Sequence, residues 1–155
     1  VRSDYRKAVA LLETRDPGAK IVATQPYVLN LYTPRPEDVV SCPRQLKDLV
    51  KLYSMGYHYL VIDPQAYISW VKDDERFALE LLDYLDFIVK RVKPIATFEH
   101  FDTVALERFV FDHNTNLLRS TRFLSNAQEQ GLGMIRVYSI KDVLSAVMAF
   151  IQKKP

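Results

Sequence analysis

The chain has 155 residues, 48% of them apolar and 26% charged, which suits one domain with a sizeable core. A net charge of +2, with basic residues spread along the chain, gives no electrostatic drive toward nucleic acid. The single cysteine, Cys42, excludes an internal disulfide, and no run approaches the roughly 20 apolar residues that a membrane helix needs.

Ser3 or Asp4 caps a first helix reaching about Thr14, with Tyr5, Ala8, Val9, Leu11 and Leu12 as its buried stripe. Asp16, Pro17 and Gly18 form a turn into a first strand, Lys20-Ile-Val-Ala-Thr24. Gln25 and Pro26 end that strand, and residues 27–32 make a short helix. Two prolines, Pro34 and Pro36, stop it, because each lacks an N–H and disfavours helix in the residue before it. Residues 38–41 read as a short second strand.

The next helix is predicted to start at Pro43 with Cys42 or Ser41 as cap. It shows Leu46, Leu49, Val50 and Tyr53 on one face and ends at Gly56. The strand over residues 57–63 is nearly continuously apolar, as a strand buried on both faces should be. Helices are predicted over 66–71 and 73–92, the second with Lys90 and Arg91 in its last turn, where cations favour the dipole. A strand over 94–98, helices over 103–111 and 116–130, a strand over 134–138 and an amphipathic helix over 141–153 complete the chain.

Apolar strands alternating with helical stretches predict an α/β fold: a three-layer α/β/α sandwich around a five-stranded, mainly parallel, Rossmann-like sheet. The simplest order is the doubly wound 2-1-3-4-5, parallel throughout, or a close variant. The chain starts at Val1 without a methionine and opens almost directly into a helix, which predicts a domain excised from a longer protein.

Open parallel sheets bind ligands outside the carboxyl ends of their strands. Gln25, Tyr27, Asp63, Gln65, Glu99 and His100 follow such ends and are the predicted ligand-binding residues. No cofactor is expected, since Thr24-Gln25-Pro26-Tyr27 stands where a dinucleotide-binding fold carries its glycine loop. Two catalytic arrangements are conceivable. Cys42, with His100 and Asp63, is one; its bland reading is a small cap beside Pro43. Glu99, His100, Asp102, Asp112 and His113 around a divalent metal are the other, but their spacing matches no defined ligand pattern. His58 reads as structural, and Tyr32 and Trp70 read as core packing, while Tyr27 and Tyr67 lie where aromatic faces meet ligands.

The order of these motifs resembles a known family. The opening Asp4-Tyr-Arg-Lys-Ala-Val-Ala-Leu-Leu, Tyr32-Thr-Pro34, Gly56-Tyr-His-Tyr-Leu-Val-Ile-Asp-Pro64, Pro94-Ile-Ala-Thr-Phe98, Ala105-Leu-Glu-Arg-Phe109 and Ile135-Arg-Val-Tyr138 carry the likeness. Together they resemble the soluble C-terminal domain of GT-C class membrane glycosyltransferases, of the dolichyl-phosphate-mannose protein mannosyltransferase type. That resemblance implies a non-catalytic domain on the extracytoplasmic face of a membrane, periplasmic or extracellular, tethered by transmembrane helices that are not in this chain. It implies as partners the membrane-embedded part of the same polypeptide and a glycan or polyprenyl-phosphate sugar. No catalytic residue carries over, because the family's catalytic carboxylate lies in a loop between early membrane helices. A small hydrolase, or an interaction module presenting Tyr67, Trp70 and Phe77, are the rival expectations.

Overall fold

The computed structural model describes residues 3–63, 85, 87–99 and 134–153. The first helix, α1 (Ser3–Arg15), buries Tyr5, Ala8, Val9 and Leu12 and leaves Leu11 half-buried. It ends where the Ala19 amide donates to the Asp16 carbonyl, with Gly18 at φ +83°, a conformation that L side chains rarely adopt. Strand β1 (Lys20–Ala23) leads to the one-turn helix α2 (Pro26–Leu29), a 3-10 turn at Pro36–Asp38, and β2 (Val39–Ser41). Helix α3 (Leu46–Ser54) is closed by Gly56 at φ +99° and feeds β3 (Tyr57–Ile62). A helical stretch at 87–91, then β4 (Ala96–Glu99), β5 (Met134–Ser139) and α4 (Ile140–Gln152) complete the described chain. The helices predicted over 66–71, 103–111 and 116–130 lie outside the described residues, as does most of the one over 73–92.

The fold is α/β with a five-stranded sheet, but the sheet is mixed and its order is β2-β1-β3-β5-β4. β1 pairs in parallel with β2 and β3, while β5 lies between β3 and β4 and runs antiparallel to both. The predicted parallel order 2-1-3-4-5 is therefore corrected at its last two strands. Burial decides which of them is central. Ile135, Arg136, Val137 and Tyr138 are all buried, whereas β4 exposes Thr97 and half-exposes Ala96 and Phe98, as an edge strand can. Apolar content reports that burial and carries no mark of strand direction.

A second correction concerns α3. It begins at Leu46 rather than Pro43, because the chain stays extended beyond β2. The Cys42 amide donates to the Ala23 carbonyl at 2.9 Å, and Gln45 is still extended at φ −118°, ψ 143°. Similarly, the helix predicted over 27–32 is one turn starting at Pro26, followed by turn bonds from Leu31 to Val28 and Tyr32 to Leu29.

Strand side chains alternate between two apolar clusters. Ile21, Ala23, Tyr59, Val61, Ile135 and Val137 pack with Tyr5, Ala8, Val9 and Leu12 of α1 and Leu29 of α2. Val22, Leu60, Ile62 and Tyr138 pack with Leu49 of α3, Ile88 and Val89, and Ile140 and Val143 of α4. The alternation slips once. Lys20 pairs with Tyr57 but Ile21 pairs with Tyr59, so β3 bulges at His58 and Tyr57 joins the same cluster as Leu60. His58, expected to be structural, is exposed at that bulge, with its ring 5.4 Å from that of Tyr53. Leu60 is fully buried at the centre of β3, so its truncation leaves a cavity inside the sheet's core. Leu60→Ala is expected to lower stability by about 2–5 kcal/mol in urea unfolding with an unchanged m-value.

Candidate functional site

The carboxyl edge of β1 and β3 holds a compact polar group. Thr24 follows β1 and Asp63 follows β3, and each is only 1% exposed. The Asp63 amide donates to Thr24 Oγ1 at 2.7 Å, and the Thr24 amide donates to the Val61 carbonyl at 3.0 Å. These bonds carry the pairing of the two strands one residue beyond the ladder. The Asp63 carboxylate accepts a hydrogen bond from the phenol of Tyr5, which reaches over from α1. Gln25 Oε1 lies 3.1 Å from the same phenol. A phenol has one proton, and Asp63 takes it, so Gln25 fits better with its amide turned to donate N–H to the Tyr5 oxygen.

Of the predicted ligand residues, the structure therefore brings Gln25 and Asp63 together through Tyr5. It does not bring Tyr27 to them. Tyr27 is 84% exposed on α2, and Leu31, one turn on, is 77% exposed. Glu99 closes β4, while Gln65 and His100 lie outside the described residues. Tyr5 was not expected at a site; its position in an amphipathic stripe reads as core, and only its hydroxyl distinguishes it. Tyr32, expected as core, is half-buried and stacks on Tyr5 with ring centroids 6.3 Å apart.

The nucleophile arrangement loses its geometry. Cys42 is buried, does not cap α3, and belongs to the apolar cluster under α3, whereas Asp63 is held by α1 on the other face of the sheet. His100, Asp102, Asp112 and His113 of the metal arrangement lie outside the described residues, and so do Tyr67, Trp70 and Phe77. Among the described residues no three His, Cys, Asp or Glu side chains come together as metal ligands, and no helix is long and apolar enough to cross a membrane.

Sequence reasoning missed Arg136. It sits in β5 opposite Ile62 of β3 and Thr97 of β4, is 6% exposed, and its Nε has no hydrogen-bond partner among the described residues. Tyr138, two residues on and therefore on the same face, is fully buried with its hydroxyl likewise unpartnered. The available signal was a charged residue in the middle of the apolar run Met134-Ile-Arg-Val-Tyr138, which pairing on both edges turns from a surface arginine into a buried one. On the same face of the sheet, α3 and α4 border an open groove of about 460 Å³ lined by Tyr53, Leu144 and Met148, among others.

Two outcomes follow from these contacts. Tyr5→Phe removes the donor from a buried carboxylate and is expected to cost about 1–3 kcal/mol, read by urea unfolding. Tyr5→Phe combined with Asp63→Asn should cost less than the sum of the single changes. Burial holds the Tyr138 phenol above its ordinary value of 10.0, although the Arg136 charge pulls it down. Burial, and then the neighbouring Asp16 carboxylate, raise Tyr59 in the same direction. The unfolded chain therefore loses these protons first, and stability should fall as pH rises above about 10. The fall should be smaller in Tyr138→Phe, measured by denaturant titration at a series of pH values. Comparison with known protein families, with curated proteins and with solved structures gives no match for this chain.

Proposed function

We propose that this chain is a non-catalytic α/β/α domain that works by binding, on the extracytoplasmic face of a polytopic membrane glycosyltransferase that uses a polyprenyl-phosphate sugar donor. It assists recognition of the acceptor or docks a partner. The observation that carries a binding role is the exposed pair Tyr27, on the short helix that leaves the carboxyl end of β1, and Leu31, in the turn that follows it, at 84% and 77%. A phenolic ring standing in water beside an aliphatic side chain offers a face for a sugar ring and a polar tip for its hydroxyls. Both residues sit on a segment anchored at Gln25, next to the Tyr5–Asp63 bond, so the platform is held by a buried polar clamp. Gln25, Tyr27, Gln65, Glu99 and His100 remain the proposed ligand-facing residues, and Asp63, buried beneath Tyr5, supports them through the clamp without meeting the ligand.

A second reading, an interaction module, draws on the other face. Val50 and Met55 at the α3 end and Met148 and Ile151 of α4 are exposed, and Met148 also lines the groove between these helices. Large apolar side chains grouped on a surface mark places where other surfaces pack.

The test is sugar transfer from a polyprenyl-phosphate-mannose donor by the polypeptide that carries this chain together with its membrane-embedded part. The double variant Tyr27→Ala/Leu31→Ser is expected to raise the acceptor KM about tenfold, equivalent to about 1.4 kcal/mol of lost binding. Both kcat and the unfolding midpoint should stay unchanged, since the two side chains are at the surface. Transfer by these 155 residues alone, or unaltered kinetics in the variant, overturns the reading.

A further inference from the structure

The carboxyl edge of the sheet carries a second polar group, on the face opposite Asp63. Arg136 faces the cluster that holds Ile62 and Tyr138, whereas Asp63 is gripped by α1 on the other side. Arg136 is nine-tenths buried, and no carboxylate among the described residues lies within ion-pair distance of it. A guanidinium stays protonated whatever its surroundings, so it cannot relieve this burial by losing its charge. Burying an unpaired charge is costly, and such groups in folded proteins are paired or bind something charged.

Tyr138 adds a second observation. Its hydroxyl and the Arg136 Nε are both buried, neither has a hydrogen-bond partner of ordinary geometry among the described residues, and they lie two residues apart on one face of one strand, close enough for the Arg136 side chain to oppose the rise of the phenol. An N–H donor and an O–H donor brought together in a low-dielectric site suit one kind of guest, an oxygen bearing negative charge. Position supplies the approach. Arg136 is opposite the last residue of β3, and its other cross-strand neighbour, Thr97, is exposed on the edge strand. Ligands of open α/β sheets enter at this edge.

We propose that Arg136 and Tyr138 form a binding site for an oxyanion, a carboxylate or phosphate group of a small ligand, at the carboxyl edge of β3 and β4. The site is independent of the acceptor-binding role proposed for Tyr27 and Leu31. Arg136 supplies the charge and the forked donor geometry, and Tyr138 supplies the second donor.

The test follows the Arg136 Nε–Hε resonance in 15N-labelled protein, assigned through its own side-chain carbons, as sodium phosphate or sodium acetate is added at constant ionic strength. The expected result is a saturable shift with at least one of the two, at a dissociation constant of about 1 mM or tighter. A stronger response to phosphate assigns the site to phosphate esters, and a stronger response to acetate assigns it to carboxylates. Arg136→Lys, which keeps the charge but loses the fork, should weaken binding about tenfold, and Tyr138→Phe should weaken it severalfold while the Nε–Hε shift persists. An Nε–Hε resonance that moves with neither anion, or no more than with sodium chloride, overturns the proposal. So does equal phosphate and acetate affinity in the native chain and in Arg136→Lys. The titration of the native chain decides the matter even where a variant fails to fold.

Discussion

β3 must satisfy both its edges and both its faces at once, and the rest of the described structure is arranged around that demand. Five of its six side chains are buried, so its backbone N–H and C=O groups can turn to water on neither side. β1 supplies the parallel partner and β5 the antiparallel one, and each brings side chains in register to the two clusters. Leu60, between Val22 and Tyr138, fixes one cluster; Val61, between Ala23 and Val137, fixes the other. A slip by one residue would exchange the two sets, and the helices above them would then face the wrong side chains. The bulge at His58 is the one place where this alternation is broken. It sits at the start of the strand, where exposure of the imidazole is tolerated.

Leaving the sheet creates the next problem, because the first residue past a buried strand has backbone groups with no ladder to join. Thr24 and Asp63 answer it together: one side chain accepts from the other's amide, and the Thr24 amide returns to β3. The Asp63 carboxylate then needs a donor in a place that water does not reach, and Tyr5 supplies it from the first helix of the chain. A hydrogen bond to a charged, buried acceptor is among the stronger polar contacts in a fold. It ties α1 to the end of the third strand across 58 positions of sequence. The strand ends are thereby rigid, and α2, which starts two residues beyond Thr24, leaves from a fixed point. Tyr27 owes its outward position to that geometry.

Local pattern carried much of this. The stripe of α1, the turn at Gly18, the stop at Gly56 and the cores of β1, β3 and β5 all follow from periodicity and from residues with special backbone freedom. What the pattern could not carry was direction and partnership. Met134-Ile-Arg-Val-Tyr138 is as apolar forwards as backwards, so its reversal between β3 and β4 leaves no local trace. Pro43 is a sound first residue for a helix, yet the bond from Cys42 to Ala23 extends the strand pairing and delays α3 to Leu46. Tertiary pairing overrode a local signal there. At the site, Asp63 was legible as a carboxylate past a strand end and Gln25 as its neighbour, whereas Tyr5 was hidden because an aromatic residue in an apolar stripe looks the same with or without a buried acceptor above it.

The two faces of the carboxyl edge also differ in how their charges are settled, and this bears on what the edge is for. On the α1 face, Asp63 is hydrogen-bonded and almost wholly shielded, which suits a residue that shapes its surroundings more than one that meets a substrate. A general base or a nucleophile needs to reach the reacting atom, and a carboxylate at 1% exposure beneath Tyr5 does not. On the other face, Arg136 carries a charge that the described residues do not balance, beside a phenol that they do not bond. Among the described residues, the polar group under α1 is closed and the one around Arg136 is left open. The clamp lies under α1, where the Tyr5 phenol donates to the Asp63 carboxylate and the Asp63 amide donates to Thr24 Oγ1. Partners among the described residues are missing at Arg136, inside the sheet edge, while Tyr27 and Leu31 stand clear of it.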